Sequence, residues 1–431
     1  MRAVQTTTAK SSPTRPKRVW VAGRKLIDAG LPAGTLINVN YLQERKTIHI
    51  TRDINGTRAV SKNGKVEACI DLQNATVDGM FDEGERLQII VMDGEVVIQP
   101  LREDTNQVKR EAEWQERSAS GQIRHASMFT GGGVSTQAIH DGLPGSKLAW
   151  IAELESRYIE SAGANCKAVD DDTVWLQGPV EQMDGRYFTS VDLLSFSMPC
   201  AGFSKSGKAK HGLSEEAHSG TAVFGVVRAI QQSNPAVIIS ENVPEAQDSA
   251  IYLLLKAELV RLGYTLFEQV LDQSHTGSIE QRKRYWLTAF SSGISPEHFE
   301  ISELAAATAP LSTILEEDAP ESLWSENTGL NSKAERDAAK GSNFKRQLLT
   351  GDELTIGTIG RYYNKKRSTE PFIVRADGME RILTPTEHAA AKQIPAHLIA
   401  GLPKSTAHEI LGQSVLYGQP LRIAQAIGGA L

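Results

Sequence analysis

The chain has 431 residues, 40% apolar and 23% charged, with 36 glycines and 17 prolines; this is ordinary globular usage and excludes a fibrous, low-complexity or wholly disordered protein. At ~150 residues per domain the length implies about two to three domains, and no apolar run nears the ~18 residues of a membrane span. Three scattered cysteines, Cys69, Cys166 and Cys200, form neither a disulfide framework nor a metal-spaced set, so no metal is expected and a reducing cytoplasm is the expected compartment.

Residues 1–16 are rich in Thr, Ser, Lys and Pro without periodicity and read as a disordered basic tail. The net charge of −6 hides segregation: residues 1–25 hold seven basic side chains and no acidic one, residues 291–332 hold eight acidic ones and no Lys or Arg, and residues 333–367 hold nine basic and four acidic. Residues 17–102 are β-patterned, and Asp93-Gly94 between two apolar runs is a two-residue hairpin signal. An internal echo, Gly34-Thr-Leu-Ile-Asn-Val39 against Gly84-Glu-Arg-Leu-Gln-Ile89, suggests two paired-hairpin units. This segment resembles the swapped-hairpin domains of the AbrB/SymE kind. Residues 103–122 are charged and helix-permissive, a linker or connecting helix. From 123 to 290 short apolar runs alternate with helical segments, the signature of an α/β fold with an open, doubly wound, largely parallel sheet. Residues 291–380 are irregular, and 381–431 returns to helix.

Five elements carry chemistry. Phe129-Thr-Gly-Gly-Gly133 sits between a strand and a helix, where glycines let backbone approach a ligand at the strand's carboxyl end. Trp150-Ile-Ala-Glu-Leu-Glu155, about 20 residues on, offers a carboxylate for ribose hydroxyls. An apolar strand from Asp192 runs into Pro199-Cys200 and a loop with Lys205, Lys208 and Lys210, a setting for a reactive thiolate; a buried structural cysteine is the alternative. Pro235-Ala-Val-Ile-Ile-Ser-Glu-Asn-Val243 brings Glu241 and Asn242 to another strand end, suited to general-acid work. Arg282 and Arg284, at i and i+2 on an extended segment, point the same way and suit phosphate or carbonyl oxygens.

In order, F-x-G-x-G, E-x-E, P-C, E-N-V, R-x-R and Gly412-Gln-Ser-Val415 resemble the motif series of the DNA (cytosine-5) methyltransferases of bacterial or phage type, over about residues 126–431. Gly220-Thr-Ala-Val-Phe with Arg228 resembles the fifth motif, and Arg381 to Glu387 with Ile394-Pro395 the ninth. The resemblance implies a Rossmann-like methyltransferase domain and a small target-recognition domain at 291–380, with 381–431 packing back on the catalytic part. It implies methyl transfer from S-adenosyl-L-methionine to C5 of cytosine in duplex DNA, through a covalent bond to C6 and a flipped-out base. By the same resemblance Phe129, Gly131, Gly133, Glu153, Pro199, Ser414 and Val415 would hold the cofactor. Cys200 would be the nucleophile, Glu241 would bind N3 and the exocyclic amine, Asn242 would brace the loop, and Arg282 and Arg284 would orient the base. Lys205, Lys208, Arg361, Lys365, Lys366 and Arg367 would contact DNA, together with Lys345, Arg346 and Tyr362. Arg15, Lys17, Arg18, Arg24 and Lys25 would add phosphate contacts that carry no sequence information. A monomer is expected, with duplex DNA as partner, no membrane, and a cognate restriction endonuclease as a candidate partner in a restriction-modification system.

The chain departs from the family pattern in places. The third-motif Asp is replaced near Gln177 and Gly178, with Asp170 to Asp172 just upstream. Glu280 stands at the leading Gln of the eighth motif, Gln413 at the Asn of the tenth, and Ala390 and Lys392 near the usual Arg and Gln of the ninth. Two rival readings use the same motifs: an RNA cytosine-5 methyltransferase, and a catalytically idle DNA-binding regulator. Intact Cys200, Glu241 and the arginine pair argue against idleness.

Overall fold

The computed structural model describes residues 3–12, 14–199, 218–304, 309–327, 329–330, 332 and 346–429. The chain divides into two compact units, residues 1–109 and 110–431.

In the first unit the described residues form ten strands, of which the longer inner ones show apolar/polar alternation: β1 (Ala3–Thr8), β2 (Lys10–Ser12), β3 (Arg15–Ala22), β4 (Leu36–Leu42), β5 (Thr47–Arg52), β6 (Arg58–Ala59), β7 (Ser61–Asn63), β8 (Val66–Gln73), β9 (Arg86–Met92) and β10 (Glu95–Pro100). Two short helices, α1 (Arg24–Asp28) and α2 (Ala75–Met80), follow β3 and β8. The strands form two sheets, ordered β1-β9-β10-β5-β4-β6 and β2-β3-β8-β7. The hairpin expected at Asp93-Gly94 joins β9 and β10.

The two sheets reveal an internal duplication. Read from either end, each lists equivalent strands of two β-β-β-α-β-β repeats. The first strand of each repeat is exchanged: β1 pairs with β9 and β6 with β4. The corner bonds repeat as well. Gly34 N–H donates to the Val60 carbonyl and Val60 N–H to that of Thr35; Gly84 N–H donates to the Ala9 carbonyl and Ala9 N–H to that of Glu85. The echo in the sequence is therefore a structural two-fold. It also corrects the tail: residues 3–8 are a strand, because β9 needs a partner and polar threonines suffice to donate and accept backbone bonds at a sheet edge.

The boundary between the units falls within α3 (Arg102–Ser120), so the stretch expected as a linker or connecting helix is one continuous helix. Its second half belongs to the second unit. Arg110 donates to Ser291 Oγ and the Leu262 carbonyl, both at 2.8 Å, and Trp114 is fully buried in a cluster with Leu193, Val237 and Phe290.

The second unit is an α/β layer structure. It contains β11 (Arg124–Met128), α4 (Val134–Gly142), β12 (Lys147–Glu153), α5 (Ser156–Asn165), β13 (Val174–Gln177), β14 (Leu193–Phe196), α6 (Ala222–Ser233), β15 (Val237–Asn242), α7 (Ala250–Arg261), β16 (Tyr264–Leu271) and β17 (Arg284–Ser291). The sheet order is β13-β12-β11-β14-β15-β17-β16. The first five strands are parallel, and β17 and β16 close the edge as an antiparallel pair. The order reverses at β11, so the crevice for a ligand lies beyond the carboxyl ends of β11, β12 and β14. Residues 291–301 stay with this unit's core: Phe299 meets Phe267 at a tilt and Phe290 edge-on, and Ile301 joins their cluster.

The segment expected as a target-recognition region, residues 291–380, packs Leu311, Leu349, Ile356, Ile359, Tyr363 and Ile373 in one small core with Ile279, Leu383 and Ala391. Its strands are β18 (Gln347–Leu349), β19 (Pro371–Val374) and β20 (Glu380–Arg381). Thr384 then caps α8 (Pro385–Ala391) in a capping box with Glu387. The chain ends in α9 (Lys404–Gln413) and α10 (Gly418–Gly429), and α10 lays Ile423, Ala424 and Ile427 against Ile139 and Leu143 of α4. Among the described residues no helix is long and apolar enough to cross a membrane.

Candidate active site

The site forms where three parallel strands end. β11 delivers the glycine turn. Phe129 has φ +56° and Gly131 φ +55°, a left-handed conformation that costs a side chain of Phe's type free energy and costs glycine almost none. No atom outside the turn lies within 4 Å of where a Cβ on Gly131 would be, whereas one on Gly132 would sit 2.5 Å from Ile410 Cγ2 and one on Gly133 2.9 Å from Cys166 Cβ, so the turn is open at Gly131 and packed behind it. β12 ends on Glu153, 9% exposed. Its Oε2 accepts from Gly131 N at 2.7 Å, and its Oε1 accepts from Leu154 N at 2.8 Å and Glu155 N at 3.0 Å. The carboxylate thus clamps the glycine turn to its own strand end. Beside it Leu154 turns an apolar side chain outward, 58% exposed.

An open glycine cradle, a carboxylate at its rim and an exposed aliphatic face are a donor set that fits a nucleoside-bearing ligand. Gln177 and Gly178 stand at the same edge, and Gly178 N donates to the Glu153 carbonyl at 3.0 Å. Asp170 to Asp172 do not replace the missing acid. They precede β13, on the order of 10 Å away along the strand, and Asp170 is engaged by Thr173 Oγ1 at 2.9 Å.

β14 and β15 supply the second half. Cys200, Lys205 and Lys208 lie outside the described residues; the strand leading to them does not. Asn242 Nδ2 donates to the Met198 carbonyl at 3.0 Å, bracing the backbone just before Pro199, which is exposed. Glu241, 8% exposed, is held on both oxygens. Arg284 Nε lies 2.9 Å from Oε1, and Ser197 Oγ donates to Oε2. Ser197 was not foreseen; its one signal is a hydroxyl in the Ser-Phe-Ser-Met-Pro-Cys strand end, next to where a carboxylate was expected. Behind the site Tyr252 Oη donates to the Glu241 carbonyl at 3.2 Å, and burial pushes that phenol's pKa far above its ordinary value.

The two arginines separate. Arg284 joins Glu241. Arg282, 3% exposed, turns away from the crevice and donates to the carbonyls of Ile359 at 3.2 Å and Gly412 at 3.0 Å. Its expected place on the base is therefore corrected: its guanidinium braces backbone from the recognition region and the end of α9. Gly412 is needed there, since a Cβ would sit 2.2 Å from the Gly360 carbonyl oxygen. Ser414 Oγ donates to the Ile410 carbonyl at 2.7 Å, ending α9, and Val415 is 3% exposed in the core.

The expected DNA-contacting cations also divide. Lys365 and Arg367 are exposed and lie over the Tyr362 ring, each 4.7 Å from its centroid. Arg361 is half-buried and donates to Tyr158 Oη at 3.0 Å. Lys366 donates to Ser325 Oγ at 3.1 Å, and Arg346 is buried in a bidentate pair with Glu380. Lys345 lies outside the described residues. In the first unit a separate cleft of about 840 Å3 is lined by Thr6, Lys10, Arg15, Arg18, Trp20 and Arg86, among others. Several expected phosphate binders there have acidic partners: Arg18 is bidentate to Asp71 at 2.7 and 2.8 Å, and Lys17 pairs with Asp78 at 3.3 Å. Arg24 lies 3.7 Å from Asp28, and Lys25 donates to Gln5.

Comparison with known proteins agrees with this geometry. The type II methyltransferase M.MspI of Moraxella sp is 27% identical over 257 residues, 59% of this chain and 60% of that protein. M.NlaX of Neisseria lactamica, also a type II methyltransferase, is 27% identical over 264 residues, 59% of this chain and 81% of that protein. The chain thus spans less than two thirds of M.MspI. The fold matches the S. pombe Dnmt2 methyltransferase, with TM-score 0.58 and 16% identity over 72% of this chain and 98% of that one. The Entamoeba histolytica methyltransferase EhMeth matches with TM-score 0.58 and 14% identity over 71% and 98%. These matches do not bear on the AbrB/SymE likeness of the first unit. Residues 126–429 match the C-5 cytosine-specific DNA methylases, and with the glycine cradle, the held glutamate and the strand order in place, the chain belongs to that family.

Proposed function

We propose that the protein transfers a methyl group from S-adenosyl-L-methionine to C5 of cytosine in a specific duplex DNA sequence, with the base swung out of the helix. The observation that carries this is the Glu241 carboxyl group, buried at the carboxyl end of β15, held by Arg284 and Ser197 and next to β14, the strand that leads through Met198 and Pro199 in sequence to Cys200. When bound, S-adenosylmethionine supplies an electrophilic methyl group on sulfonium sulfur. The Gly131–Gly133 turn, Glu153 and Leu154 would hold it. The Cys200 thiolate adds to C6, and Glu241 gives N3 the proton that balances the new electron pair. C5 would then take the methyl group as the methyl–sulfonium bond breaks and the neutral thioether leaves. Loss of the C5 proton to a base re-forms the C5–C6 double bond and expels the Cys200 thiolate, and N3 returns its proton to Glu241. Splitting one difficult substitution into addition and elimination is the gain from a covalent nucleophile. Arg284 keeps Glu241 aimed, and Asn242 keeps the Met198 carbonyl, and so the start of the nucleophile's loop, at a fixed height.

Lys365 and Arg367 around Tyr362 supply exposed positive charge beside the site, suited to phosphate. In the first unit Lys10 and Arg15 are exposed at the basic cleft, and we infer that they add backbone contacts without sequence information. Monomeric, cytoplasmic action, alone or beside a cognate endonuclease, fits this reading.

The test is covalent trapping. Duplex DNA carrying 5-fluorocytosine at the target should form a stable adduct, because fluorine cannot leave as the proton does. Cys200→Ser should abolish the adduct, and Cys69→Ser and Cys166→Ser should keep it. Adduct formation by Cys200→Ser would remove the assignment. Labelling of tRNA instead of duplex DNA by tritiated cofactor would favour the RNA reading.

A further inference from the structure

Two of the departures from the family pattern, 112 residues apart in the chain, are bonded to each other. Lys392 Nζ donates to Glu280 Oε1 at 3.0 Å and lies 2.9 Å from Oε2, and both side chains are 0% exposed. Arg282 Nη1 lies 3.3 Å from the same Oε1, and Ile359 N donates to it at 3.2 Å. Lys392 also donates to the Ser414 carbonyl at 3.3 Å. Four segments therefore meet around one carboxylate: the stretch that runs into Arg284, residues 356–359, the end of α8 with Lys392, and residues 412–415 at the end of α9. Backbone bonds knit them together. Glu280 N donates to the Ala391 carbonyl, Ile356 N to that of Ile279, and Tyr417 N to that of Lys392.

Charge explains why the two residues come together. A buried lone carboxylate or ammonium is costly, and removing one partner of a buried pair leaves the other uncompensated. The cluster holds one acid against Arg282 and Lys392, so it carries excess positive charge. Consistent with this, burial pulls the Lys392 pKa down to about 7, helped by Arg282 and opposed by Glu280.

We propose that Glu280 and Lys392 are a coupled pair of positioning residues, each requiring the other. Through Arg282 and the Ser414 carbonyl they set the 412–415 turn at the cofactor side and the segment entering Arg284 at the base side. Neither touches a reacting atom. This rests on the methyltransferase reading above.

The experiment is a cycle of Glu280→Gln, Lys392→Gln and the double variant in the full chain. It measures kcat, KM for S-adenosylmethionine and DNA, and the melting temperature with and without S-adenosylmethionine. Each single change should lower kcat/KM per folded molecule roughly tenfold, with KM for the cofactor rising, and the double should return to within about threefold of the parent; coupling of that size is usual for contacting charged groups. If the single variants fail to fold, a folded, active double variant still demonstrates the coupling, and Lys392→Arg, which keeps the charge but displaces the donor, supplies the cofactor KM. A double variant with the product of the single losses would overturn the proposal. So would single variants that lower only the melting temperature and leave kcat and KM intact, since the pair would then be stabilising only. A parent protein that fails to methylate DNA would instead refute the methyltransferase reading, and the melting-temperature cycle would still measure the coupling.

Discussion

Acid should weaken the second unit through His125, and replacing that residue by leucine should flatten the response. His125 lies on β11 at 0% exposure, stacked 6.0 Å from the His140 ring, and neither ring nitrogen finds a hydrogen-bond partner among the described residues. Burial, and then the neighbouring His140, hold its pKa down to about 3, against an ordinary 6.5. The folded value is the lower one, so the unfolded chain binds the extra proton. The stability is whole above 6.5 and is lost as pH falls from 6.5 toward about 3. One pH unit below 6.5 the unfolded ring is about 90% protonated while the folded ring stays neutral, a loss of about 1.4 kcal/mol that hardly depends on how low the folded value is. His388, held well below its ordinary value by burial and by the nearby Lys392, and His408, held at about 4 by burial, act in the same direction. Three such rings would remove about 4 kcal/mol at about pH 5.5, a large share of a typical domain's 5–15. Urea unfolding followed by tryptophan fluorescence reads this unit, because Trp114, Trp150 and Trp286 are buried in it. Between about pH 7.5 and 5.5 the parent should lose about 1.4 kcal/mol more than His125→Leu. Equal losses would show that His125 takes up its proton inside the fold.

Glu241→Gln keeps the shape of the held side chain and removes its proton, so turnover should fall by about 10²–10⁴ while calorimetric affinity for S-adenosylmethionine stays the same; full turnover would make the Glu-Asn pair structural only. Gly131→Ala forces a Cβ onto φ +55°, a cost of about 1–2 kcal/mol, and should weaken cofactor binding roughly tenfold by the same titration. A chain beginning at Lys109 should fold and methylate the same site, while one beginning at Ser120 loses the buried Trp114 and about 3–5 kcal/mol of stability, which thermal melts would show. The shorter active chain should bind DNA more weakly at low salt, with a shallower dependence of affinity on salt; in the full chain Lys10→Ala with Arg15→Ala should lower that slope by about one per cation. An unchanged slope, or methylation at different sites, would refute the role given to the first unit.

Much of the site was legible in the sequence because its parts are strand ends. Phe129 to Gly133, Glu153, Pro199 and Glu241-Asn242 each follow an apolar run that declares the strand, and in a parallel sheet all such ends face one crevice. The duplication of the first unit was legible for a similar reason, since Gly34 and Gly84 mark equivalent corners. Partners distant in the chain were not legible. The threonines of β1 carry no apolar alternation and become a strand only because β9 stands beside them. Arg282, Arg346 and Arg361 look like DNA-facing cations, yet Gly412, Glu380 and Tyr158 take them up, and a sequence does not display which charge is already paired. Ser197 matters because β14 lies next to β15, a neighbour relation that hydropathy does not encode. Asp170 to Asp172 look like substitutes for a missing acid, but a strand reverses nothing: they enter β13 at the end opposite the crevice. Glu280 and Lys392 read alone as two defects. Only folding brings them within 3.0 Å of each other, where burial makes each charge depend on the other.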